Sequence, residues 1–70
     1  MPYINIKVTG GKEAPTQEQK QELIRGATDL VARILGKNPK TTIVIIEEVS
    51  MDNWGIGGES VTNIRAAAHR

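Results

Sequence analysis

The sequence has 70 residues, 39% of them apolar, with nine Lys or Arg against eight Asp or Glu for a formal charge of +1, the balance of an ordinary globular domain. The cations run along the whole chain instead of clustering, and Tyr3 and Trp54 are the only aromatics, which argues against nucleic acid as a partner, duplex or single-stranded. There is no cysteine, so disulfides, thiolate nucleophiles and Cys-ligated metals are excluded, and the lone His69 beside the last residue offers no ligand set for a structural metal.

Residues Tyr3 to Thr9 alternate, with Ile4, Ile6 and Val8 on one side and Tyr3, Asn5 and Lys7 on the other, the period-2 pattern of a strand. After the turn-forming stretch Gly10 to Pro15, Thr16-Gln17-Glu18-Gln19 has the spacing of a capping box, with Thr16 as N-cap and Gln19 at N3. The helix that follows carries Leu23, Ile24, Ala27, Leu30, Val31, Ile34 and Leu35 as one stripe of period 3.6. It is expected to stop near Leu35, because Gly36 suits the left-handed C′ position and Pro39 follows shortly after.

Thr42-Ile43-Val44-Ile45-Ile46 is apolar and β-branched on both faces, the mark of a buried parallel strand, and the intervening helix supplies the crossover that a parallel pair needs. The unit predicted is βαβ, right-handed, in a single domain over residues 1–70. One helix covers one face of a two-stranded sheet, yet Ile43 and Ile45 point opposite to Thr42, Val44 and Ile46, so a second apolar face has no cover within the chain. A chain this small, with neither disulfide nor metal, is stabilised by association or by unusually good packing, and another subunit is the expected cover.

Beyond Glu47 and Glu48, Val49 to Glu59 reads as a turn or short hairpin in which Trp54 and Ile56 call for burial. The tail from Ser60 to Arg70 is a short helix or a frayed end. No apolar run approaches the roughly 18 residues of a membrane span and no leader pattern opens the chain, so a soluble cytoplasmic protein without a membrane partner is expected.

The usual nucleophile and base constellations are missing. Pro2 either marks no more than a chain start or, once Met1 is removed, supplies a secondary amine. Such an amine, partly buried and near cations, is disfavoured in its charged form and becomes an available general base. Gly10-Gly11-Lys12 lacks the spacing of a phosphate loop, and Gly55-Ile56-Gly57-Gly58 precedes no helix of dinucleotide-binding type. Glu47 with Glu48, and Asp52 with Glu59, read as solvated charges. Trp54 alone is either a core anchor or a site residue.

An amino-terminal proline opening a strand (Pro2-Tyr3-Ile4-Asn5-Ile6), Glu18-Gln19-Lys20 opening an amphipathic helix, an isoleucine-rich second strand, and Trp54-Gly55-Ile56-Gly57-Gly58-Glu59 together resemble the 4-oxalocrotonate tautomerase family. The resemblance covers nearly the whole chain, to about Arg65. It implies an α+β fold in which a βαβ subunit with two parallel strands, one long helix and a short C-terminal hairpin assembles as a homohexamer, a trimer of dimers. It also implies cofactor-free isomerisation of a small-molecule carboxylic acid, with the amino-terminal proline moving a proton between the 2-hydroxyl and C5 of 2-hydroxymuconate.

By that resemblance Pro2 is the catalytic base, Lys12 stands where an arginine binds the distal carboxylate, and Trp54 is the aromatic that walls the pocket. The chain departs from the family at Ile43, which aligns with a second arginine that polarises the carbonyl oxygen. Arg65, Arg33 and Lys40 are candidates for the missing cation. The departure leaves two functions open: a tautomerase of a 2-hydroxydienoate or 2-oxo acid, and a non-catalytic oligomer of the same fold that binds a ligand or partner.

Overall fold

In the computed structural model, which describes residues 1–68, the alternating segment forms β1 (Tyr3–Thr9) and the capped stripe forms α1 (Gln17–Leu35). The β-branched run forms β2 (Ile43–Val49), the glycine-rich segment forms the hairpin β3 (Gly55–Ile56) and β4 (Glu59–Ser60), and α2 (Val61–Ala68) follows. Single 3-10 turns at Gly11–Glu13, Pro39–Thr41 and Met51–Asn53 fill the connections.

Local chemistry accounts for the helix ends. Gln19 N–H donates to Thr16 Oγ1 at 3.1 Å and Thr16 N–H donates to Gln19 Oε1 at 2.9 Å, so both halves of the capping box satisfy amides that the first turn would otherwise leave orphaned. At the other end Gly36 takes φ 64°, the left-handed cap that glycine enters without a Cβ penalty. In the hairpin Gly57 and Gly58 have φ 61° and 87°, the pair of positive values that a two-residue I′ turn requires.

β1 and β2 pair in parallel, in the register Tyr3↔Ile43, Ile4↔Val44, Asn5↔Ile45, Ile6↔Ile46 and onward to Thr9↔Val49. β2 therefore begins one residue later and runs three residues further than the segment Thr42 to Ile46 predicted for it. Thr42 belongs to the preceding turn, its N–H donating to Pro39 O at 3.2 Å. Glu47 and Glu48, read from the sequence as solvated charges, continue the strand and pair with distant cations. Glu47 accepts from Lys7 at 3.0 Å and Asn5 at 2.6 Å, and Glu48 pairs with Lys20 of α1 at 2.8 Å.

α1 packs against β2, leaving Val44 and Ile46 half-buried while Ile43 and Ile45 stay 42% and 40% exposed on the opposite face. The uncovered apolar face predicted from the strand pattern is thus present. The helix stripe is itself divided: Ile24, Ala27 and Val31 are half-buried, whereas Leu23, Leu30, Ile34 and Leu35 face outward. Ile56, expected to be buried, is 62% exposed, because nothing among the described residues reaches over the hairpin. α2 is helical to Ala68; the tail expectation for His69 and Arg70 lies outside the described residues.

Among the described residues only Gly10 and Val61 are buried. The radius of gyration is 15.5 Å, against about 11 Å for a compact globule of this length. A chain so open has little core of its own.

Candidate active site

Two of the three residues singled out in the sequence meet at one end of the sheet. The Val49 carbonyl at the end of β2 accepts from Gly10 N–H at 2.9 Å and from Trp54 Nε1 at 3.2 Å, using both of its lone pairs. The first bond fixes the loop that carries Lys12; the second fixes the half-buried indole. Trp54 is further held through its backbone, its carbonyl accepting from Val61 N–H at 2.8 Å at the start of α2. Lys12 is the middle residue of the turn Gly11–Glu13, which Ala14 N–H closes on Gly11 O at 3.1 Å. Its side chain is exposed and forms no ion pair among the described residues.

Pro2 lies at the other end. Its carbonyl accepts from Ile43 N–H at 3.0 Å, which ties it to the start of β2, and its ring is half-buried. Eight residue steps along β1 separate Pro2 from Gly10, roughly 26 Å at the rise of an extended strand. Within one chain, then, the structure places the Lys12 turn and Trp54 at the same end of the sheet and leaves Pro2 at the other.

Of the cations considered for the missing arginine, Arg65 is engaged: its guanidinium donates to Glu13 Oε1 and reaches Met51 Sδ at 3.8 Å. That donation, with a second from Thr9 Oγ1 to Glu13 Oε2 at 2.6 Å, holds the Glu13 carboxyl below its ordinary pKa. Lys7 and Asn5 lower Glu47 in the same way. Arg33, in the last turn of α1, and Lys40, in the turn before β2, are both exposed, and the crossover topology places both at the Pro2 end of the sheet.

No local pattern points to the Glu13–Arg65 pair, since its members stand 52 residues apart. Nor did Asp52 act as a free charge; it accepts from Thr62 Oγ1 of α2. An open groove of about 480 Å³ on the single chain is lined by Val8, Glu13, Pro15, Gln19, Glu22 and Leu23. It contains two carboxylates, no cation and none of the three candidate residues, and is ill suited to an acid substrate.

A parallel βαβ unit with a glycine hairpin, and Pro2 just before its first strand, is the tautomerase-type subunit that the sequence resemblance implies. Residues 2–64 match the family model described as "Tautomerase enzyme", and the chain belongs to that family, an isomerase family. It is 59% identical over 68 residues to "Probable tautomerase K2" of Dickeya dadantii, covering 97% of this chain and 98% of the relative. It is 30% identical over 64 residues to the "2-hydroxymuconate tautomerase" of Bacillus subtilis, covering 91% and 98% of the two chains. The crystal structure of DmpI from Helicobacter pylori superposes with a TM-score of 0.85 at 49% identity, covering 93% of this chain and 97% of that one. The family resemblance carried by Pro2 and the segment Trp54 to Glu59 is thereby confirmed. Among the described residues no helix is long and apolar enough to cross a membrane.

Proposed function

We propose that the chain is a cofactor-free tautomerase that moves a proton within 2-hydroxydienoate or 2-oxo acid substrates such as 2-hydroxymuconate, with Pro2 as general base. The observation that carries this reading is that the family match begins at residue 2, on Pro2 itself. The name of the Bacillus subtilis relative supports the substrate class. Met1 is 84% exposed, and its removal frees the Pro2 nitrogen as a secondary amine. The amine takes the proton of the substrate 2-hydroxyl and returns one to C5; the C2 carbonyl forms as the double bonds shift, and no electron leaves the substrate. Lys12 pairs with a substrate carboxylate as a point charge. The apolar ring of Trp54 keeps water out and disfavours the protonated amine.

Because Pro2 lies remote from Lys12 and Trp54 along β1, the working site draws its proline from one copy and its lysine and indole from another. An isologous dimer with antiparallel β1 strands satisfies that requirement, and the open face of Tyr3, Ile43 and Ile45 gives it an apolar seam. Three such dimers make the homohexamer. The alternative function, a binding oligomer without catalysis, is favoured by Ile43, an apolar residue where the family arginine stands.

An ultraviolet progress curve for 2-hydroxymuconate separates the two, using protein whose intact mass shows Met1 removed, beside Pro2→Ala. A loss of about 10²- to 10⁴-fold in the variant is expected for a positioned base. Equal rates in both would leave the binding oligomer.

A further inference from the structure

Lys12 projects from its turn with no partner of its own among the described residues, so something must fix the turn if the ammonium is to meet a carboxylate reproducibly. On the backbone side the Gly10 to Val49 bond and the Gly11 to Ala14 closure do so. On the side-chain side the link is Glu13, whose two oxygens are both used, Oε2 by Thr9 of β1 at 2.6 Å and Oε1 by Arg65 of α2. α2 in turn begins on the Trp54 carbonyl. It therefore links the Trp54 backbone, at its start, to the Lys12 turn through Arg65 one turn on.

We infer that Glu13, clamped between Thr9 and Arg65, is a positioning residue that holds Lys12 for the substrate carboxylate, and that Arg65 serves this clamp instead of binding substrate. The inference rests on the proposed role of Lys12. A carboxylate beside a carboxylate-binding lysine would by itself repel the substrate. Arg65 neutralises it, so the turn gains an anchor without the site gaining a net negative charge. The lowered pKa of Glu13 keeps the anchor ionised across the neutral range.

A double-mutant cycle on the full-length, Met1-free protein with 2-hydroxymuconate tests this. Glu13→Gln and Arg65→Gln are each expected to raise KM about two- to five-fold with kcat unchanged, the scale of a surface ion pair. The double variant should be no worse than either single one, and Arg65→Lys should retain most of the wild-type KM. A lower KM in Glu13→Gln, or a further rise when Arg65→Gln is added to it, would mean that Arg65 binds substrate directly and would overturn the inference. Lys12→Ala keeps the two levels apart. If it raises KM while Glu13→Gln does not, the clamp alone is refuted; if it leaves KM unchanged, or if the wild type does not turn over, the role of Lys12 fails and the clamp with it.

Discussion

The two ends of the parallel sheet are built differently. At the Lys12 and Trp54 end, the Val49 carbonyl, the Trp54 backbone, the Glu13–Arg65 pair and the Asp52–Thr62 bond join four segments of one chain. At the Pro2 end, the described link to β2 is one backbone bond, from Ile43 N–H to Pro2 O, and the neighbouring side chains of Tyr3 and Ile43 lie open. Under the proposed function the contrast is a division of labour: the binding groups are preorganised within the chain, whereas the base is set at an edge left for a second copy to complete.

The most severe way to break this arrangement is to attack the open face. Ile45→Asp places a charge in the apolar seam next to Pro2's strand, and a buried unpaired carboxylate is not tolerated there. Light scattering should show the assembly reduced to smaller species, with the helical circular dichroism lost at the same time. A variant that stays assembled would show that the open face is not the seam.

A milder intervention addresses the other end. Val61, 7% exposed, is the buried apolar residue from which α2 starts, and Val61→Ala is expected to cost about 1–2 kcal/mol by loss of burial and a small cavity. Thermal unfolding would register it, and KM should rise along with it, because α2 carries Arg65. No change in melting would show that the stitched end draws its stability elsewhere.

The smallest effect lies in acid. Glu13 and Glu47 have folded pKa values below the ordinary 4.5, so each contributes stability that is complete above that value and is lost as pH falls through the lowered one. Glu13→Gln at the stitched end and Glu47→Gln on the open face should each flatten the decline of melting temperature between about pH 5 and pH 3. An unchanged slope in either variant would show that its ion pair adds nothing to stability in solution.

Much of the fold was legible because its signals are local. β1 and α1 fall where alternation, the Thr16 box and Gly36 place them, each needing only residues within a turn or two. β2 was read too short because the partners of Glu47 and Glu48 are Lys7 and Lys20, cations that no local pattern connects to them. The apolar character of Ile56 calls for burial, but the sequence pattern does not show what would cover it, and within the described residues it stays exposed. The family-matched candidates were visible as residue types, but the separation of Pro2 from Lys12 follows only once both are laid along one extended strand. The Glu13–Arg65 clamp needed the three-dimensional path of α2.

The scarcity of buried residues has a consequence for handling the molecule. In the proposed assembly a subunit owes its order to its neighbours, so its folding free energy contains a mass-action term and dilution works as a denaturant. Its melting temperature should therefore climb with protein concentration, and activity per subunit should fall in very dilute assays, before any denaturant is added.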